Sequence, residues 1–417
     1  MAMADITLLA TADWDHPLWT NKQHVACSLV ALGHRVLYVE SLGLRSPRQA
    51  AHAPVATQAR SDWSRIRRRL CHGVQPPRQV RPGLWVWSPL VFPGALAGWR
   101  LAINRFVLRV GLFVWSRSLH LQADWLWTYN PMTLSVLDPR PWKRLIYHCV
   151  DAIQAQPGMP AREIEQLENR LCHRADIVFV TSPGLYRSLG TLNPQTYFYP
   201  NVADVNHFGH ALNQALPIPD DLAAIPTPRL GFVGAISNYK LDVPMLVCLA
   251  RNHPEWSLVL IGPVGEGDPS TDVTSLLQLK NVHLLGTRSY GELPDYLRGF
   301  DVGLLPLRLN AYTQSMFPMK FFEYLAAGLP VVSSAIDALQ PFADVAFLCD
   351  TTATAFASAI AAALEKEGPT IQKRLAAAAA NTYNKRTQAM LNDLAKLEMG
   401  KTVDPATDLT GYHSFDS

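Results

Sequence analysis

Between residues 317 and 334 the chain reads as one capped helix running into one buried strand, the αβ half of a parallel-sheet unit. Pro318 sits where a helix can start, because its fixed φ and missing N–H suit a first turn. Gly328 can close that helix in the left-handed conformation, and Pro330 prevents it from resuming. Residues 329–332 then form a short apolar strand. Lys320 and Glu323 are three apart and share one helix face. A cation and a carboxylate beside the free N–H groups of a helix start suit a nucleotide, with Lys320 on phosphates and Glu323 on ribose hydroxyls. From these residues alone, an ordinary surface ion pair is the competing reading.

The rest of the chain repeats this alternation. Residues 6–10 form a short apolar strand, and Thr20 and Gln23 make a T-x-x-Q capping box before a helix with Val25, Leu29 and Leu32 on one face. Gly33 closes the helix and residues 36–39 form a second strand, a βαβ start that implies a parallel sheet with a right-handed crossover. Further strands fall at residues 125–127, 145–150, 177–180 and 197–199, with Ile164, Leu167 and Leu171 on one helix face. After the Pro-rich residues 217–228 a second alternation begins at 230–234 and continues through 258–261, 282–285, 302–305 and 329–332. With 417 residues, 48% of them hydrophobic and 17% charged, the chain can fill two cores. Two βαβ-rich halves without internal repeat read as two Rossmann-like domains facing across a cleft. Residues 370–398 are Ala-rich and helical.

Pro318, Lys320, Glu323, Tyr324, Leu325, Ala326, Ala327, Gly328, Pro330, Val331 and Val332 fit a P-x-K-x-x-E-Y-L-A-A-G-x-P-V-V pattern. The run resembles the donor-binding helix of GT-B glycosyltransferases. That resemblance implies an α/β, GT-B fold of two Rossmann-like domains facing a central cleft. The acceptor-side domain would span residues 1–205 and the nucleotide-sugar-binding domain residues 206–380. Residues 381–417 would supply a C-terminal helix returning to the N-terminal domain, plus a polar tail. Pro200, Asn201, Val202, Ala203 and Asp204 resemble the p-N-G-V-D linker that ends the N-terminal domain in this fold.

The resemblance also implies donor contacts. Gly234 would let backbone approach a diphosphate, with Lys240 the cation just beyond that loop, although a plain tight turn fits these glycines equally well. Backbone groups near Arg288 would meet the nucleobase. Residues 310–316, including Ser315 and Met316, would approach the β-phosphate and sugar, with Tyr312 either a sugar contact or a surface aromatic. Many members of the retaining family 4 carry a second glutamate where this chain has Ser315, which tilts the expectation towards inversion.

In the first half, Asp151 ends the strand at 145–150, on the edge where open α/β sheets bind ligands. The segment from Tyr147 to Asp151 resembles the Y-x-x-x-D of the family 70 xanthan-pathway glucuronosyltransferase, and the N-terminal half is also similar to teichuronic-acid-type transferases. That likeness implies Asp151 as the general base, the competing reading being a helix cap or a loop carboxylate. His148 is a cleft group or a hydrogen-bonded packing residue. Asn21, Lys22 and Gln23 are candidate acceptor or phosphate contacts, or a solvated helix start.

Charge and composition narrow the partners. Residues 41–120 hold thirteen arginines and a single acid, Asp62, against a net charge of only +3 for the chain. Arginines 65, 67, 68, 69, 78 and 81 precede Trp85, Trp87, Leu90, Val91, Phe92 and Trp99. This mixture describes a peripheral membrane surface over residues 61–115, or a solvated helix with a buried strand. No base-reading motif is present, so nucleic acid is not an expected partner. The most apolar run, residues 101–115, contains Arg105 and Arg109 and is too short to span a bilayer. The first ten residues lack a basic n-region, so no signal peptide is expected. Six scattered cysteines form no C-x-x-C and suggest neither a zinc site nor disulfides. No D-x-D-like pair stands out, so neither a metal nor any cofactor is expected.

The reading is a metal-independent nucleotide-sugar glycosyltransferase, peripheral at the cytoplasmic membrane face. Its acceptor would be lipid-linked or polysaccharide, in cell-surface polysaccharide synthesis. The same-fold alternative is a nucleotide-sugar 2-epimerase, and the alternative of another class is a non-catalytic nucleotide- or carbohydrate-binding module. A dinucleotide oxidoreductase would need a G-x-G-x-x-G after the first strand, which is missing.

Overall fold

Short, continuously apolar strands bury both faces, which only a parallel sheet covered by helices allows. The computed structural model describes residues 3–16, 19–43, 75–92, 95, 97–268 and 270–399. The chain forms two units. The first takes in the described residues up to Thr181, then Leu185–Tyr199 and those from Thr387; the second takes in Ser182–Gly184 and Pro200–Arg386.

The first unit contains β1 (Asp5–Leu9), β2 (Arg35–Val39), β3 (Arg78–Arg81), β4 (Leu84–Trp87), β5 (Trp125–Thr128), β6 (Arg144–Cys149), β7 (Ile177–Val180) and β8 (Thr196–Phe198). They form one sheet in the order β3-β4-β2-β1-β5-β6-β7-β8, parallel except for the β3–β4 pair. Chain direction across the sheet reverses beside β1, whose Ile6 lies opposite both Val36 of β2 and Trp125 of β5. The helix Asn21–Ala31 starts with Gln23 folded back to accept from the N–H and hydroxyl of Thr20, as the T-x-x-Q spacing requires. Gly33 (φ 92°) then turns the chain into β2. The helix Tyr383–Glu398 enters this unit at Thr387, and there Tyr199 donates to Asp393 at 2.5 Å.

The second unit contains β9 (Arg229–Val233), β10 (Ser257–Ile261), β11 (Val282–Gly286), β12 (Val302–Leu305), β13 (Val331–Ser334) and β14 (Phe347–Cys349). Its order is β11-β10-β9-β12-β13-β14, parallel throughout, with the reversal between β9 and β12. Leu230, Leu258, Leu260, Val302, Leu304 and Val332 pack against the helices Val243–Asn252 and Ala353–Leu364 to make the core.

Some elements differ from the sequence reading. The mostly exposed, polar strand β3 and the edge strand β14 carry too weak a pattern to read, whereas apolar β4 fits the buried strand of the alternative reading of this region. Residues 101–115 lie in one long surface helix, Gly98–Ser118, and no described helix is long and apolar enough to cross a membrane. The Ala-rich run divides into Ile371–Ala380 and Tyr383–Glu398, because Asn381 caps the first and its carbonyl accepts from Ala203. Of the basic-aromatic region 61–115, residues 61–74, with Arg65, Arg67, Arg68 and Arg69, lie outside the described residues.

Candidate functional site

At the carboxyl edge of the second sheet, glycines follow β9 and β10 and end β11. Gly234 (φ 152°), Gly262 (φ 147°) and Gly286 (φ 74°) all adopt backbone that other residues reach only with strain. A Cβ on Gly262 would lie 1.9 Å from Gly234 O, so the two backbones touch with no space for a methyl. Gly234 N–H donates to Ile261 O and Gly262 N–H to Gly286 O, each at 2.9 Å, which ties the three ends together. The glycine seen at 234 is thus more than a free-standing turn. Such an edge, at the point where strand order reverses, is where open α/β sheets receive ligands.

The helix Lys320–Ala326 brings its charged pair to this edge. The turn opens at Pro318, whose carbonyl accepts from Phe321, and Gly328 (φ 79°) closes it. Lys320 Nζ lies 2.5 Å from Glu323 Oε2, and the two side chains are only 17% and 3% exposed. Glu323 is buried and Lys320 half-buried, which removes the reading of an exposed surface ion pair. Burial pushes the Glu323 carboxyl above the ordinary range, partly opposed by Lys320. Phe208 stands 5.8 Å from Lys320 Nζ, and Tyr290, stacked on His207 at 4.2 Å, belongs to the same neighbourhood. Tyr324, one residue on, accepts from Val233 N–H at 2.8 Å; it fits only because Gly303 has no Cβ, which would sit 2.6 Å from its ring. One helix therefore carries the ion pair and pins the glycine loop.

The other second-unit candidates fall around this edge with different degrees of freedom. Lys240 Nζ lies over the rings of Tyr239 (5.2 Å) and Tyr312 (5.7 Å). Tyr312 is buried, packed edge-on to Tyr239 at 5.0 Å, which removes the surface-aromatic alternative. Asn310 caps the short helix Ala311–Gln314 and donates to Tyr239 O, knitting the two loops together. Ser315 ends that helix, and Ser315 and Met316 are half-buried. Gly184 presses on Gln314 O, where a Cβ would come to 2.6 Å. Arg288 follows β11, but its guanidinium is committed to Asp221 and Tyr296, each at 2.5 Å, leaving backbone as what this loop offers a ligand.

In the first unit the reversal lies between β1 and β5, and the candidate residues gather at the same carboxyl edge. Asp151, half-buried, follows β6 by two residues. Lys22 is buried, with its ammonium 5.7 Å from the Tyr129 ring. Burial holds Lys22 below the usual lysine range, and the Asp151 carboxylate is the strongest influence opposing that shift. Asn21 is buried and accepts from Tyr129 at 3.5 Å. Gln23 is fully buried, its oxygen on Thr20 and its NH2 on Asp13 O, so it acts as a cap. His148 is enclosed by Tyr129, Trp127 and Phe179, with ring centroids 4.7, 5.9 and 6.2 Å away. Beneath Asp151, buried Glu168 accepts from Tyr147 at 2.5 Å, Cys149 at 3.4 Å and Gln154 at 3.2 Å.

Gly262 and Glu168 escaped the sequence reading, and Tyr324 entered it only as part of the motif, without its bond to Val233 N–H. Gly262 carried a usable signal, since it follows an apolar strand just as Gly234 does. Glu168 carried none, because its partners come from another strand. Among the described residues no group of three or more His, Cys, Asp or Glu side chains is arranged to hold a metal ion.

Residues 227–366 match the family model described as glycosyl transferases group 1. The putative teichuronic acid biosynthesis glycosyltransferase TuaH of Bacillus subtilis is 31% identical over 206 residues, 46% of this chain and 51% of that relative. The chain thus matches about half the length of that curated relative. Among solved structures, sucrose-phosphate synthase from Thermosynechococcus elongatus has a TM-score of 0.64 at 17% identity, over 95% of this chain and 97% of that one. Anabaena HepE in complex with UDP has a TM-score of 0.61 at 15% identity, over 94% and 100%. At these identities the structural likeness is one of fold.

Proposed function

We propose that this chain, which has the GT-B fold and carries a group 1 glycosyl transferase domain over residues 227–366, moves a sugar from a nucleotide-sugar donor to a lipid-linked or polysaccharide acceptor. The observation that carries this reading is the Lys320–Glu323 pair, a buried carboxylate and a half-buried ammonium beside a sheet edge built from glycine. A buried ion pair is weak stabilisation, because desolvation offsets most of its attraction. Its position is instead suited to a ligand, with Glu323 on ribose hydroxyls and Lys320 on the diphosphate. The glycine ends at 234 and 262 let backbone come close to the phosphates.

Asp151 is the general base in this reading, taking the proton of the acceptor hydroxyl as it attacks the anomeric carbon. Lys22, whose ammonium is favoured by the Asp151 carboxylate, is the cation nearby. The carbon–oxygen bond to the diphosphate breaks as the new glycosidic bond forms, and Lys320 stabilises the departing charge without a divalent metal. With Ser315 at the family 4 glutamate position, the transfer inverts the anomeric centre. The relative TuaH, named for teichuronic acid biosynthesis, supports a polysaccharide acceptor, and the structures carrying UDP make a UDP-sugar the first donor to try. Action at the cytoplasmic membrane face belongs to the same proposal.

The test screens nucleotide sugars by thermal shift and then follows transfer by product NMR with and without EDTA. Turnover is expected to persist in EDTA, and the product anomer is expected to be opposite to that of the donor. Manganese-dependent turnover would refute metal independence, and a retained anomer would refute inversion. Interconversion of free nucleotide sugars without transfer would favour the 2-epimerase.

A further inference from the structure

The helix Gly98–Ser118 has two apolar faces, and only one is packed. Leu101, Leu108 and Leu112 join the first core, and Gly111 sits so close to Trp87 that a Cβ would lie 2.3 Å from its ring. On the other side Trp99 (63% exposed), Ile103, Phe106 (67%), Val110, Phe113 (61%) and Val114 face solvent. At about 100° per residue, these six positions fall within an arc of about 100°. Arg100 and Arg109 flank that arc, one on each side. Arg100 lies over Trp99 at 5.4 Å and Arg117 over Phe113 at 5.0 Å.

The surface continues off the helix in a fixed way. Buried Asn104 accepts from Phe92 N–H at 2.8 Å and donates to Phe92 O at 2.9 Å. That clamp sets the half-exposed Phe92 ring edge-on to Trp99 at 5.3 Å. Residues 75–120 contain no acid and hold arginines 78, 81, 100, 105, 109 and 117, of which Arg78 is paired with Asp15 and Arg105 donates to Ser135 O, each at 2.5 Å. A contiguous apolar stripe rimmed by a single sign of charge marks an interaction surface.

We infer that this face docks on an anionic lipid bilayer, with the helix in the interfacial plane, its apolar arc among the acyl chains and its arginines on lipid phosphates. An apolar stripe between cationic flanks is what an in-plane amphipathic helix needs. Charge selects this occupant over a second copy, because isologous pairing of the face would set arginine against arginine with no acid between them. The inference rests on the reading of a membrane-presented acceptor, and it names the surface that would bring the enzyme to it.

The experiment mixes the full chain with vesicles of phosphatidylcholine, alone or blended with phosphatidylglycerol, and measures co-sedimentation. Wild type is expected to bind the anionic vesicles. Phe106→Ser with Phe113→Ser should weaken that binding at least about tenfold, since both rings lose their apolar burial. Arg100→Glu with Arg109→Glu should abolish the preference for anionic lipid. All four side chains are exposed, so circular dichroism should stay at the wild-type spectrum. Wild type indifferent to lipid charge, or a serine variant that binds as wild type does, overturns the inference. So does a wild-type dimer in sedimentation velocity that the serine variant converts to monomer. Vesicle binding without nucleotide-sugar turnover would refute the proposed transfer and leave the docking surface standing; turnover without vesicle binding would do the reverse.

Discussion

At the carboxyl edge of the second sheet, β9, β10 and β11 stop on Gly234, Gly262 and Gly286, whereas β1, β5 and β6 of the first sheet run into Ala10, Tyr129 and Val150. The second edge is therefore built of backbone, with strand ends in contact and one buried ion pair. The first edge is built of side chains: Lys22 under Tyr129, His148 among aromatics, Asp151 above the Glu168 network. Backbone suits a ligand part that all donors share, a diphosphate. Side chains suit a partner that differs from enzyme to enzyme, and in this reading the acceptor is that partner.

The largest effect should fall on the side-chain edge. Asp151→Asn is expected to lower turnover by about 10²–10⁴-fold, the usual worth of a general base, with donor affinity almost unchanged. Steady-state kinetics beside nucleotide titration check it, and near-wild-type turnover would remove Asp151 from the chemistry. The backbone edge should instead be intolerant of a single methyl. Gly262→Ala places a Cβ against Gly234 O at φ 147° and is expected to cost roughly 2–5 kcal/mol of stability through strain and overpacking. Urea denaturation measures that cost, and a variant as stable as wild type would show that the glycine ends do not touch.

This contrast also explains how much was legible. The helix with Lys320 and Glu323 and its caps at Pro318 and Gly328 lie within a dozen residues, so local rules and one motif recovered them. Both parallel sheets followed from short apolar strands alternating with helices. The first site draws on Asn21, Lys22, Tyr129 and Asp151, more than a hundred residues apart at the extremes, and no local spacing reports such a meeting. Gln23 was read both as a cap and as an acceptor or phosphate contact, and the cap is the role that occupies its side chain. Tyr312 was open between a sugar contact and a surface aromatic because its cover, Tyr239 with Lys240, comes from another loop.

A smaller effect sharpens the comparison from beneath Asp151. Burial raises Glu168 above the ordinary carboxylate range, partly opposed by the hydrogen bonds from Tyr147, Cys149 and Gln154. The folded protein then holds that proton more tightly than the unfolded chain does. The stability this group contributes is complete below the ordinary value of 4.5 and is lost as pH rises through the raised folded value. Glu168→Gln, which has no such proton to lose, should gain melting temperature relative to wild type as pH rises from acid towards neutral. Melting curves across pH check this, and a difference that does not vary with pH would contradict it.

Calorimetric titration of UDP and GDP into wild type and Glu323→Ala decides most directly whether the buried pair holds a nucleotide. Wild type is expected to bind one of them. Glu323→Ala, which leaves ribose hydroxyls unpaired at about 1–3 kcal/mol, should bind it at least about tenfold more weakly while keeping a wild-type circular dichroism spectrum. Equal affinity in a folded variant would take Glu323 and its helix out of the donor site.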